Sequence, residues 1–394
     1  MGSAVVLCAA CVCMAFSQNS LPGTKLKVEV VSNLVVMPGY VNQSPRLNVV
    51  LDTGSSTNVV DERLRPELKT ASNSSVQAAG IGKGKDETLH LFEGTELSWG
   101  PDKNLALKNQ QVATLPIDYI SKQTGYPVDA IFGSSLFQQF RIRVDYAAGE
   151  ATFSSASSSD RDRATVPINI YGGVPFVSAS LETASGVKVT GLFMIDSGTT
   201  GAMVLSRTFL DAHPELMVGH AYVDVPSATA VGGAIDLQVV RISGLDFGPI
   251  RLASPVAAVP RNAAGALANP QVAGFIGAGI LSRFTCDWDY QHKTLGLIPN
   301  SHVDAPFEGD ASGMRLIAEG PDWKSIQVAA LTANGPAAQA GFKVGDILKE
   351  IDGKPVPRLY EVMEMFKHPG QTHKLVVLRA GKSIPLTLPL KRLV

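Results

Sequence analysis

The sequence predicts a mainly β chain: two pseudo-symmetric lobes followed by a smaller α+β domain. Three observations carry this: an Asp-Thr/Ser-Gly turn that occurs twice in one register, short β-forming runs through both halves of residues 25–300, and a change of texture near Asn300. A length of 394 residues agrees, since ordinary domains hold roughly 100–200 residues each.

The repeat is the firmest of the three. Asp52-Thr53-Gly54-Ser55-Ser56 follows the apolar run Leu47 to Leu51, and Asp196-Ser197-Gly198-Thr199-Thr200 follows Leu192 to Ile195, an offset of 144 residues. At that offset Ala130-Ile131-Phe132-Gly133 meets Gly274-Phe275-Ile276-Gly277, Phe140 meets Phe284, and Val144-Asp145-Tyr146 meets Trp288-Asp289-Tyr290. One such tripeptide is a common turn, whereas four landmarks in one register mark a duplication. Runs rich in Val, Ile, Leu and Thr predict strands at 26–31, 34–37, 48–51, 111–117, 142–146, 176–181, 237–242 and 295–298. The predicted divisions are a lobe over 18–155, a polar linker over 156–164, a second lobe over 165–300, a linker over 301–311 and the last domain over 312–394.

Residues 1–17 read as a secretory signal. Ala4 to Phe16 is an unbroken apolar run of 13 residues, shorter than the roughly 20 that cross a bilayer, and Ala15 and Ser17 allow cleavage before Gln18. An extracytoplasmic setting, periplasmic or secreted, and a mature chain without a transmembrane anchor are therefore expected; a buried N-terminal strand is the alternative. Cys8, Cys11 and Cys13 leave with the leader, so Cys286 remains without a disulfide partner and packing must hold the fold. Lys plus Arg total 34 against 35 Asp plus Glu, with no basic block, which excludes nucleic acid as a natural partner. The seven His residues form no His-Glu-x-x-His and are expected at the surface. Neither a metal nor a cofactor is expected.

A carboxylate at the end of a buried strand, followed by a hydroxyl residue and Gly, allows a tight turn whose N–H and O–H groups hold the carboxylate. Two such turns about a pseudo-two-fold axis bring Asp52 and Asp196 together, and like charges so close share one proton. The ionised member can then activate water while the protonated member polarises a scissile carbonyl. On these residues the chain resembles the pepsin-like and retropepsin-like aspartic peptidases, in a two-lobe single-chain form, over about Lys25 to Pro299. The resemblance implies that Asp52 and Asp196 are catalytic. It also implies that Thr53 and Ser197 buttress the two loops, that Ser55 and Thr199 orient the carboxylates, and that Gly133 and Gly277 support the strands beneath. Gly54 and Gly198 would be conformational requirements. The pepsin flap tyrosine is missing between Asp52 and Trp99, and the candidate flaps, Ala79 to Gly84 and Ala230 to Gly233, are Gly-rich as in retropepsins.

In the last domain Pro336 starts a short helix that Gly341 ends, Asp352-Gly353 is a turn, and Leu359, Val362, Met363 and Phe366 form one helical face. Strands are expected at 374–378 and 384–388. This region resembles a PDZ domain of bacterial envelope proteases, which implies binding of an extended peptide, often a free C-terminus, beside a strand and a helix. The implied peptide site comprises the loop from Ser312 through Gly313 and Met314 to Arg315, then Leu316, with Leu359 and Met363 across the groove. The expected function is an aspartic endopeptidase acting on polypeptide substrates that the PDZ domain recruits or positions. The alternative is a noncatalytic envelope scaffold with degenerate lobes.

Overall fold

A computed structural model describes residues 23–68, 74–78, 87–155, 164–230, 233–262 and 265–394. The expected leader, the first candidate flap and most of the expected linker over 156–164 lie outside the described residues.

Thirty strands and six short α-helices are described: α1 (Asp118–Thr124), α2 (Ser134–Gln139), α3 (Arg207–Ala212), α4 (Ala278–Leu281), α5 (Pro336–Gln339) and α6 (Leu359–Met365). An eight-stranded sheet forms the first half and a ten-stranded sheet the second. Matching ladders show the duplication in three dimensions. Strand Leu47–Leu51 runs parallel to Ala130–Phe132 with Leu51 opposite Phe132, and Lys188–Asp196 runs parallel to Val272–Gly277 with Ile195 opposite Ile276. Val59 lies opposite Ala113 as Met203 lies opposite Ala257, again 144 residues on. Buried on both faces, these central strands are continuous apolar runs rather than alternating ones.

A third sheet joins the halves. Its six strands run in the order Thr24–Lys27, Glu150–Ser154, Arg141–Asp145, Phe284–Asp289, Thr294–Pro299 and Ala164–Pro167, three from each half in mirrored order. At its centre Ile142 pairs with Trp288, Arg143 with Asp287 and Val144 with Cys286. Arg143 and Asp287 are counterparts in the repeat, so the local two-fold axis passes between them. A bidentate ion pair crosses this seam, Arg141 Nε and Nη2 donating to Asp287 Oδ1 and Oδ2 at 2.8 and 2.9 Å, with both side chains almost wholly buried. One apolar core runs through both halves, including Trp99 edge-on to Phe140 with ring centroids 5.5 Å apart. Cys286 is buried in it as a free thiol.

The last domain has its own core and its own sheet, with strands in the order Met314–Glu319, Ser325–Leu331, Ile347–Ile351, Thr372–Arg379 and Lys382–Pro389. The turns form where the sequence places them: Gly341 ends α5 at φ 88°, and Asp352-Gly353 turns at φ 53° and 74°. The segment before the domain is tied down. The Arg283 guanidinium donates to the carbonyls of Val303 and Pro306 at 3.2 Å and lies 3.5 Å from the centre of the Phe307 ring. His373 departs from the surface expectation: it is buried beside Phe366, with Nδ1 2.8 Å from Asp352 Oδ2. Among the described residues no helix is long and apolar enough to cross a membrane.

Candidate active site

Two strands deliver Asp52 and Asp196 to one point on the axis between the halves. The supporting strands fix each end: Asp52 N donates to Phe132 O at 3.0 Å, and Asp196 lies opposite Gly277 in its ladder. Thr53 and Ser197 then lock one turn to the other. Thr53 N donates to Ser197 Oγ at 2.9 Å and Ser197 N to Thr53 Oγ1 at 3.0 Å. Their hydroxyls donate onward across the axis, Thr53 to Ile195 O at 2.8 Å and Ser197 to Leu51 O at 3.0 Å. Each hydroxyl is a satisfied donor and acceptor in a buried site, so the four bonds fix the spacing between turns without leaving an unpaired polar atom.

Gly54 and Gly198 permit the approach. A methyl group on Gly54 would stand 2.5 Å from Asp196 Oδ1, and one on Gly198 would stand 2.4 Å from Asp52 Oδ2. The carboxylates therefore lie against each other's turns, while both residues keep some exposure. Gly133 and Gly277 are equally constrained, since a Cβ there would meet Ser55 O at 2.4 Å or Gly201 O at 2.3 Å.

The two turns differ in one donor. Thr199 Oγ1 donates to Asp196 Oδ2 at 2.7 Å, whereas Ser55 Oγ turns away from Asp52 and donates to Thr57 O at 2.7 Å. The role expected of Ser55 is thus not the one its geometry supports. Each Asp also accepts its own turn's amide, Gly54 N at 2.7 Å and Gly198 N at 2.8 Å.

The electrostatics follow from those donors. Burial, then the charge of Asp196, push the Asp52 carboxyl well above the usual carboxylate range, against the Gly54 amide. Burial raises Asp196 too, but Thr199, Gly198 and the Asp52 proton all favour its ionised form. Both carboxyls are thus raised, and the one side-chain hydroxyl that favours an ionised form lies on Asp196. Sequence reasoning missed Tyr290, whose buried phenol burial and the Asp52 charge hold well above its ordinary range. It also missed Asn58, whose Oδ1 accepts from Gly133 N at 3.0 Å and so braces the strand beneath Asp52. In sequence the two expected flap positions fall between paired strands, Ser74–Ala78 with Glu87–Trp99 and Val223–Ala230 with Gly233–Arg241; residues 79–84 and 231–232 of those positions lie outside the described residues. Among the described residues no group of three or more His, Cys, Asp or Glu could hold a metal ion.

In the last domain the expected peptide-site residues do converge, with differences. Met314 and Leu316 are buried on the edge strand, Met363 is 37% exposed and faces a cavity of about 310 Å³, and Arg315 lines the same cavity. Leu359 has no exposed surface. In the loop, the Gly313 amide donates to Asp310 Oδ2 at 2.7 Å and the Met314 amide to Ser312 Oγ at 3.0 Å.

Comparison with known proteins agrees with the last domain most directly. Residues 308–390 match the PDZ domain family. The magnetosome formation protease MamE of Paramagnetospirillum magneticum is 36% identical over 70 residues, 17% of this chain and only 10% of that protein's length. Among solved structures, the aspartic proteinase of Irpex lacteus superposes with a TM-score of 0.44 at 14% identity, covering 72% of this chain and 99% of the other. This is a mainly β chain whose C-terminal part is a PDZ domain.

Proposed function

We propose that the chain is an aspartic endopeptidase whose PDZ domain recruits or positions polypeptide substrates. One observation carries the reading: Asp52 and Asp196 meet at two mutually locked turns, each carboxylate against the other turn's glycine, and in this reading Asp52 holds the shared proton. Asp196 takes a proton from a bound water as the water oxygen attacks the scissile carbonyl carbon. Asp52 gives its proton toward the carbonyl oxygen, so the tetrahedral intermediate forms neutral and without an acyl-enzyme. Its collapse breaks the C–N bond as the amine leaving group takes a proton from Asp196, and the new carboxyl returns one to the pair. The PDZ match supports peptide binding as the partner activity.

The test is cleavage of an unfolded protein at several mildly acidic pH values by the wild type, Asp52→Asn and Asp196→Asn. General acid–base steps contribute about 10²–10⁴-fold, so each variant should lose at least about a hundredfold in kcat. Undiminished cleavage by both variants overturns the assignment. A wild type that binds peptides and never cleaves them favours the scaffold reading.

A further inference from the structure

The PDZ edge strand Met314–Glu319 pairs on one side only, with Ser325–Leu331. An edge strand facing a helix is where an added peptide strand would lie. Here that place is taken at one end. Helix α1 of the first lobe packs along Met314–Glu319 and also touches α6. Lys122 of α1, paired with Asp118 at 2.8 Å, feels the charge of Glu319 at the far end of the strand. The chain then turns at Gly125 with φ 68°, so tightly against α6 that a Cβ there would meet Leu359 Cβ at 2.6 Å. Arg358 donates to Gly125 O at 3.4 Å, and the Tyr126 and Tyr360 rings meet edge-on with centroids 6.4 Å apart. This contact explains why Leu359 is fully covered. The other end is a cavity of about 310 Å³ lined by Met314, Leu316, Met363 and Phe366, with Gln123 of α1, Val225 and Arg241 of the second lobe and the terminal Val394 as further parts of its wall.

We infer that α1 is a built-in occupant of the PDZ groove, leaving room for only the last residues of a peptide until it is displaced. This rests on the PDZ reading of the groove. A chain running from the cavity toward Leu359 therefore meets α1, whose Gln123 already lines the cavity. A longer peptide gains the rest of the edge only by moving α1 away. Six residues past α1, Ala130–Phe132 pairs with the strand Leu47–Leu51 that leads into Asp52, so the occupant adjoins the support of the candidate dyad.

The experiment uses the full chain carrying Asp52→Asn, to prevent cleavage. The probes are decapeptides ending in Val, Leu or Phe with free carboxylates, and tripeptides with the same last three residues. Amide hydrogen exchange at 118–126 and dissociation constants are read. Saturating decapeptide should speed exchange in α1 at least tenfold, and tripeptide should not. Tyr126→Ala and, separately, Arg358→Ala should tighten decapeptide binding about tenfold and leave tripeptide binding unchanged. Decapeptide binding with α1 exchange unaltered, or with no tightening in either variant, overturns the displacement while sparing the PDZ reading. Binding of no peptide by any variant overturns both.

Discussion

The two Asp turns share a backbone and differ in a hydroxyl. Around Asp52 and Asp196 the ladders, the Thr53–Ser197 lock and the close-packed glycines repeat with little change, yet Thr199 donates to its carboxylate and Ser55 does not. Duplication thus supplies a symmetric frame, and one side chain makes the charge distribution unequal. A dyad needs that inequality, because one member must keep a proton while the other accepts one.

The comparison can be broken at several points. The largest effect is expected at the seam, where symmetry already fails: Arg141 is buried against Asp287, while the axis relates this pair to Thr285 and Arg143. Arg141→Leu leaves Asp287 buried without its bidentate partner and should cost about 3–5 kcal/mol in urea unfolding. Next come the supporting glycines. Gly133→Ala and Gly277→Ala both place a methyl against backbone oxygen, so each should destabilise by about 1–3 kcal/mol, and by similar amounts if the frame is symmetric.

The donors give smaller effects that are more diagnostic. Thr199→Val removes a bond to the ionised form of Asp196, which raises its pKa. A hydrogen bond to a charged group is worth about 1.5–3 kcal/mol and one pKa unit about 1.4 kcal/mol, so the acid limb of the pH–rate profile should move up by about one unit. Ser55→Ala should leave that limb in place and change kcat by less than about threefold, because its hydroxyl serves Thr57 O. Equal shifts in the two variants would show that the turns act symmetrically. Stability should follow the same asymmetry. A carboxyl whose folded pKa is raised contributes stability that is complete below its unfolded pKa and is lost as pH rises through the folded value. Asp52→Asn should therefore raise the neutral-pH melting temperature, and raise it less at pH 3.

Much of this was legible in the sequence. The 144-residue register located both Asp turns, both supporting glycines and the matched strands, because hydrophobic runs and turn residues report local backbone requirements. The PDZ turns at Gly341 and Asp352-Gly353 were legible for the same reason. The direction of Ser55 was not, since a rotamer depends on which carbonyl lies nearest. Nor was the Arg141–Asp287 pair, whose members are 146 residues apart and meet only when the halves share a sheet. His373 reads as any polar residue until Asp352 is placed beside it. The packing of α1 on the PDZ groove joins two domains that look independent in sequence, and no local pattern encodes it.

The central claim is that Asp52 and Asp196 form one proton-sharing pair with the proton on Asp52. Titration of the Asp side-chain carboxyl carbons by NMR, in the wild type and in Asp196→Asn, tests it most directly. One carboxyl should titrate well above the usual range in the wild type, and its midpoint should fall when Asp196 is replaced, since the charge and hydrogen bond of Asp196 both raise it. An unchanged Asp52 midpoint, or two ordinary and independent titrations in the wild type, would contradict the claim.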